Sequence, residues 1–195
     1  MRVLVVSAHP DDASFGTALV RSVVFTLQRR GHEVDHCDLY ASGFEPVLSA
    51  DERRLHLEDV AAKPQLVPHA ERLRRADALV LVYPTMWGGP PAMLKGWLDR
   101  VWGEGVAFTM PPGAKAPKPL LRNIRRMLVV TTYGSSRWVN AVQGEPGRRI
   151  WRRSVRLQVN PWTRCGWLGI YDMDRRGPLG RARSVRRVER RLARW

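Results

Sequence analysis

The sequence predicts an α/β protein: a doubly wound, five-stranded parallel sheet of order 2-1-3-4-5 in three α/β/α layers. Three observations carry this. Short runs of valine and leucine without polar alternation (RVLVVSA, ALVLVYP, MLVVTTY) read as strands buried on both faces. Longer stretches with apolar residues at helical spacing stand between them. The length, 195 residues, suits one domain over residues 1–195 with a sizeable core.

RVLVVSA is the first strand, and Phe15 through Arg30 the first helix, with Phe15, Leu19, Val23 and Leu27 at steps of four and Gly31 just past its basic end. HEVDHCDLY is the second strand. The Pro-rich, polar stretch that follows is an excursion holding one short helix near Ser49 to Ala61, where Ser49 and Glu52 have the spacing of a capping box. A helix over Val67 to Ala76 leads into the third strand, ALVLVYP. The turn-rich loop TMWGGPP opens the helix AMLKGWLDRVW, whose Met93, Leu94, Trp97, Leu98, Val101 and Trp102 form a broad apolar stripe. A second excursion, GEGVAFTMPPGAKAPKPLL, precedes the fourth strand, MLVVTTY, and the loop GSSRW. A helix over Gly147 to Leu157, a fifth strand GWLGIYDM and an arginine-rich helix RARSVRRVERRLARW complete the pattern. No internal repeat interrupts it.

Five strands at this length favour the flavodoxin-like order. Strands one, three and four are then neighbours, and the loops at their carboxyl ends, HPDDASFG, TMWGGP and GSSRW, converge on one crevice at the topological switch point.

Composition narrows the class. No apolar stretch is long enough to span a bilayer, and the opening MRVLVVSA has too short an apolar run for a secretion signal, so a cytoplasmic protein is expected. Cys37 and Cys165 form no CxxC pair and read as reduced thiols. The formal charge of +15 comes from 33 basic residues, only four of them lysine. In the C-terminal segment, Val185, Val188, Leu192 and Trp195 form an apolar stripe against arginines on the other faces. This is an amphipathic helix with a solvated charged side, and no specific nucleic-acid site is expected from it.

Each loop carries chemistry. Ser14, Phe15, Gly16 and Thr17 stand at a helix start, where free amides and the positive dipole end favour a phosphate, with donors from Ser14 and His9 and close backbone approach at Gly16. Neither GxxxxGK[ST] nor GxGxxG is present, which disfavours nucleoside triphosphates and a Rossmann dinucleotide grip. Asp11 and Asp12 read equally as loop and cap carboxylates. The loop of Pro84, Thr85, Met86 and Trp87 with Gly88 and Gly89 offers backbone groups and an indole to the edge of a planar heteroaromatic ring. Thr131, Thr132, Tyr133 and Gly134 add hydroxyls, an aromatic face and a flexible backbone, and Trp138 follows. No nucleophile, base and orienter form a recognised set, which points to a bound cofactor carrying the chemistry.

The opening His-Pro-Asp-Asp also resembles that of zinc-dependent amide hydrolases of the N-acetylglucosamine deacetylase type. Those have Glu where this chain has Ala13 and a later histidine ligand, whereas only His32, His36, His56 and His69 are on offer here. That reading leaves a catalytic zinc short of its usual three protein ligands, and no metal site is assigned.

A broader likeness covers Val3 to Met173. SAHPDDASFGTALV resembles the AHxxxxSFNxAL opening of the flavodoxin-like NAD(P)H:quinone oxidoreductases. YPTMWGGPPAMLKGWLDRVW resembles their P-x-x-W-x-x-P-A-x-L-K-G-W-x-D-R-V block, TTYGSS their Thr-Thr-Gly-Gly loop, and CGWLGIYDM their Cys-Gly-Phe strand. The resemblance implies a flavin, FMN before FAD at this length, NAD(P)H as co-substrate, a quinone-type acceptor and a homodimer. It implies that His9, Ser14, Phe15 and Gly16 hold the flavin phosphate, Pro84, Thr85, Met86 and Trp87 the isoalloxazine edge, and Thr131, Thr132, Tyr133 and Gly134 its pyrimidine side. Amides near Met86 and Trp87 would stabilise reduced flavin, with Tyr133 and Trp138 as walls on which substrates stack. Gly16 stands where the family has Asn, and Tyr133 where it has Gly. Other expectations are an azo, nitro or free-flavin reductase of the same fold, and, lower, the zinc amide hydrolase or a flavin binder with little turnover.

Overall fold

A computed structural model describes all residues, 1–195. The main-sheet strands are β1 (Arg2–Ser7), β2 (Glu33–Asp38), β3 (Ala78–Pro84), β6 (Arg126–Thr132) and β7 (Arg164–Ile170); β4 (Phe108–Thr109) and β5 (Lys118–Pro119) form a separate antiparallel pair. The helices are α1 (Phe15–Arg29), α2 (Ala50–Arg54), α3 (Val67–Arg75), α4 (Ala92–Val101), α5 (Arg137–Val142), α6 (Pro146–Arg149) and α7 (Pro178–Leu192).

The main sheet is parallel throughout, in the order β2-β1-β3-β6-β7, with Val5 opposite both His36 and Val80, and Val129 opposite both Leu81 and Trp167. This is the expected order of five strands. Alternate side chains serve opposite faces. Val3, Val5, Val80, Val82, Leu128 and Val130 pack under α1 and α7, while Leu4, Val6, Leu79, Leu81 and Val129 pack under α3, α4 and Trp151. Two cores result, and burial on both faces explains why the strands read as unbroken apolar runs.

α1 begins at the Ser14 cap, whose Oγ accepts from the Thr17 amide, and the chain reverses at Gly31, where φ is 74°. The Ser49–Glu52 capping box forms as expected. The helix it opens, however, stops at Arg54 instead of reaching Ala61. Lys63 reaches back and donates its Nζ to the carbonyls of Leu55 and Glu58, drawing this segment into turns, and Asp59 caps a short 3-10 turn at Val60–Ala62. The helix expected over Gly147 to Leu157 is composite: α6, a π turn at Ile150–Ser154 and a 3-10 turn at Val155–Gln158.

β7 begins two residues earlier than expected, and the chain leaves it before Asp172, which takes a left-handed φ of 58°. α7 starts three residues earlier than expected, with Pro178 in its first turn, a position that needs no amide donor. Its Val188 and Leu192 are buried, and its arginine-bearing faces are exposed. Cys37 is buried and Cys165 half-buried, both as free thiols. No helix is long and apolar enough to cross a membrane.

Candidate functional site

A closed, mostly apolar crevice too small to admit a ligand lies between α1 and the carboxyl ends of β1, β3 and β6, lined by His9, Gly16, Leu19, Val20, Val82, Tyr83, Val130 and Thr132. All three loops singled out in the sequence rise from these strand ends, so the sheet order brings them together as expected.

In the first loop the donors are set by local bonding. The Asp11 amide donates to Nδ1 of His9 at 3.1 Å, so the uncharged imidazole carries its proton on Nε2 and presents it as a donor. The ring lies over α1: a Cβ built on Gly16 would sit 2.7 Å from His9 Cδ2. Glycine is therefore what fits under the imidazole, a physical reason for its presence where the resembling family has Asn. The amides of Phe15 and Gly16 have no acceptor within the chain and stand at the positive end of the helix dipole. Asp11 Oδ1 takes the Ala13 amide, which makes Asp11 a loop-shaping residue.

Ser14 does more local work than its expected role allows. Its Oγ accepts from the Thr17 amide and pairs with Thr17 Oγ1, whose own proton goes to the Asp11 carbonyl at 2.9 Å. The proton shared between the two hydroxyls is thus that of Ser14, and it must turn away from Thr17 to meet a phosphate.

The second loop is a two-residue reversal. Met86 and Gly89 exchange both backbone hydrogen bonds at 2.9 Å, with Trp87 (φ 48°) and Gly88 (φ 77°) left-handed between them, a type I′ arrangement. Trp87 is fully exposed, as expected of a crevice residue. The Met86 amide is spent inside the turn, which corrects the expectation that it faces a ligand; the amides of Trp87 and Gly88 are unpartnered within the chain. Below the turn, Thr85 Oγ1 and Thr131 Oγ1 lie 2.7 Å apart, and the Thr85 amide donates to the Thr132 carbonyl. Thr131 is fully buried. It fastens two loops together and offers no surface to a ligand, contrary to expectation.

The third loop brings a second correction. Tyr133 is 3% exposed, stacked on Tyr171 with centroids 4.6 Å apart at 12°, so it cannot serve as a wall on which substrates stack. Its hydroxyl is buried without a partner, and burial pushes its pKa up to about 12. Trp138 on α5 is 74% exposed and keeps a free indole face. Gly134 is close to Asp174, whose Oδ2 would lie 2.7 Å from a Cβ there.

Behind this loop lies a group of residues not singled out beforehand. Tyr171 donates to Glu145 Oε1 at 2.8 Å, and Arg148 donates to Glu145 Oε2 at 2.6 Å. Burial alone would raise the Glu145 pKa, but the hydrogen bonds from Arg148 and Tyr171 outweigh it and hold the carboxyl below its ordinary range. α6 braces the second loop: the Gly147 amide donates to the Gly88 carbonyl at 2.8 Å, and Pro146 packs against Gly88. The visible signal was GRRIWRRS, whose arginines recur at 148, 149, 152 and 153.

The zinc reading finds no ligand set. No group of three or more His, Cys, Asp or Glu side chains comes together with metal-holding geometry. His36 Nε2 pairs with Ser7 Oγ, His56 Nδ1 with the Arg53 carbonyl, and His69 Nδ1 accepts from Trp97 Nε1. The first loop does fit a flavin phosphate: two unpartnered amides and a histidine donor, beside a glycine with no space for a side chain.

Comparison with known proteins agrees with this fold. The model of the Flavodoxin_2 family, described as a flavodoxin-like fold, matches residues 1–153. The chain is 31% identical to NAD(P)H dehydrogenase (quinone) 1 of Cavia porcellus over 168 residues, which cover 77% of this chain and 60% of that protein. It therefore spans about three-fifths of that relative's length. It is 32% identical to ribosyldihydronicotinamide dehydrogenase (quinone) of Homo sapiens over 168 residues, 77% of this chain and 72% of that protein. Among solved structures it is similar to the NAD(P)H:quinone oxidoreductase of Methanothermobacter marburgensis, with TM-score 0.82, 24% identity, and 98% and 97% of the two chains covered. It is also similar to an FMN-dependent NADH-azoreductase of Bacillus anthracis in complex with FMN, with TM-score 0.74, 16% identity, and 99% and 98% covered.

Proposed function

The chain belongs to the Flavodoxin_2 family of flavodoxin-like folds, and from that premise we propose that it is a flavin-dependent NAD(P)H oxidoreductase that reduces a quinone-type acceptor, a single FMN-binding domain over residues 1–195. The observation that carries the reading is the first turn of α1, with the Phe15 and Gly16 amides free beside the protonated Nε2 of His9. The names of the relatives support the substrates, and the FMN in the azoreductase structure supports FMN over FAD. A bound flavin would supply the redox chemistry, hydride transfer from the nicotinamide and two-electron reduction of the acceptor.

The chain's residues bind, orient and shield. His9, Phe15 and Gly16 would hold the phosphate, with Ser14 joining once its hydroxyl turns from Thr17. The Trp87 amide, unpartnered within the chain, would hold the isoalloxazine edge as a preorganised donor that favours negative charge there. Thr85 and Thr131 keep that edge fixed to the pyrimidine side formed by Thr132 and Gly134. The indoles of Trp87 and Trp138 supply flat apolar surface for an aromatic acceptor.

With aliphatic surface exposed on α5 at Val139 and Val142, a homodimer that covers it is part of the proposal, as is a cytoplasmic location. The test is an absorption spectrum of protein incubated with excess FMN and freed of unbound flavin. Flavin absorbance that bleaches anaerobically with NADH or NADPH and returns on adding a quinone supports the reading. Protein that retains no flavin overturns it, and retained flavin that neither nicotinamide reduces leaves only a flavin binder.

A further inference from the structure

A basin of about 500 Å³ opens along α5, α6 and the π turn, lined by Ala141, Gly144, Glu145, Arg148, Arg149, Arg152 and Arg153. Its charge follows from sequence spacing. Arg148 and Arg152, like Arg149 and Arg153, stand four residues apart, the spacing that puts side chains on one side of a helical segment. Trp151 turns the other way, into the core, and donates its Nε1 to the Tyr83 hydroxyl at 2.7 Å, which fixes the rotation of the whole segment.

The balance in the basin is four guanidinium groups against one carboxylate. Glu145 is already satisfied by Arg148 and Tyr171. Arg149, Arg152 and Arg153 enter none of the chain's salt bridges. The Arg149 guanidinium lies against the backbone of Gly144, with Nη2 3.5 Å from where a Cβ would stand. Three unmatched guanidinium forks in a concave site are suited to a phosphate monoester dianion, whose oxygens accept bidentate hydrogen bonds.

The segment that lines the basin also touches the second loop. Gly147, between Glu145 and Arg148 on α6, donates to the Gly88 carbonyl, and Gly88 belongs to the reversal that carries Trp87. A dinucleotide with its nicotinamide beside Trp87 would have these arginines adjoining the same loop for its adenosine end. Resting on the oxidoreductase reading, we propose that this basin takes the 2′-phosphate of NADPH and makes the protein select NADPH over NADH.

The experiment is calorimetric titration of the flavin-loaded protein with NADP+ and NAD+, which differ only in that phosphate and do not turn over. The wild type binds NADP+ at least about tenfold more tightly, the worth of one charge-assisted contact or more. The double variant R152A/R153A binds the two within about twofold of each other, whereas R186A/R187A, which removes the same charge from exposed positions on α7, keeps the wild-type ratio. Equal affinities in the wild type, including no measurable binding of either, overturn the proposal. So does an equal loss in R186A/R187A, since it would show a general charge effect. Flavin content measured on each preparation separates the two readings: flavin retained without preference for NADP+ removes the basin alone, and preference for NADP+ without flavin removes the oxidoreductase reading alone.

Discussion

Gly16 is where the first loop can be perturbed with the least collateral change. In Gly16→Ala the new Cβ would stand 2.7 Å from His9 Cδ2, and ordinary contact requires the ring to move by about 0.7 Å or swing away. The bond from the Asp11 amide to Nδ1 is then strained or lost, at about 0.5–1.5 kcal/mol for an exposed neutral pair. Alanine returns up to ~1 kcal/mol of helix propensity, so stability should change by no more than about 1 kcal/mol, or roughly 2–4 °C in Tm for a chain of this size. Affinity for FMN should behave differently. The displaced imidazole withdraws a hydrogen bond to a charged phosphate, worth about 1.5–3 kcal/mol, and Kd should rise about ten- to 150-fold. Quenching of FMN fluorescence measures Kd, and thermal melting of the apoprotein measures stability. Gly103→Ala, where a Cβ meets nothing within 4 Å, serves as the control and should leave both unchanged. A Kd for Gly16→Ala within twofold of wild type would refute the role assigned to His9.

Breaking the buried Glu52–Arg100 pair, with contacts of 2.6 and 2.8 Å, by Glu52→Gln leaves a buried guanidinium without its counter-charge and should cost about 3–5 kcal/mol in urea unfolding. Arg100 holds the Glu52 pKa below its ordinary value. The ionised pair's contribution is therefore present above the unfolded carboxylate pKa, near 4.3, and lost as pH falls through the lower folded value, so the gap between wild type and variant should narrow below about pH 4. Tyr83→Phe removes the acceptor of the buried Trp151 Nε1 and should cost about 1–3 kcal/mol by the same assay; an unchanged midpoint would mean that the indole finds another partner. Trp87→Asn relieves a left-handed backbone at a fully exposed site and should raise stability by about 1 kcal/mol while raising KM for an aromatic acceptor; a drop in stability would show that the indole is packed in solution.

What could be read beforehand was what short-range chemistry determines. The Ser49–Glu52 capping box, the Ser14 cap and the reversal at Gly31 depend on side chains within a few residues, and all three form. The strand order followed from unbroken apolar runs and the rules of parallel connections. The helix expected to reach Ala61 failed because Lys63, beyond its end, competes for the carbonyls of Leu55 and Glu58. Tyr133 looked like a pocket wall because loop aromatics beside a site often are. Its burial depends on Tyr171, on a different strand end, and on the bond from its own amide to the Ile170 carbonyl. The arginine basin escaped notice because GRRIWRRS reads as one more charged helix face, and its concavity depends on Ala141, Gly144 and Glu145 on the preceding turns.

The packing of α7 against α1 bears on how the phosphate loop comes into being. Ser22 donates to Glu189 at 3.2 Å across 167 positions of sequence, and the Arg181 guanidinium stands 6.0 Å from the centre of the Phe15 ring. Synthesis runs from the N-terminus, so α1 emerges early and waits with Leu19, Val23 and Leu27 only half covered until residues 178–192 arrive to close that side. A nascent chain stalled before Pro178 would hold every residue of the three loops and still lack the surface against which the first of them is steadied. Competence to capture a cofactor should therefore appear late and abruptly during translation.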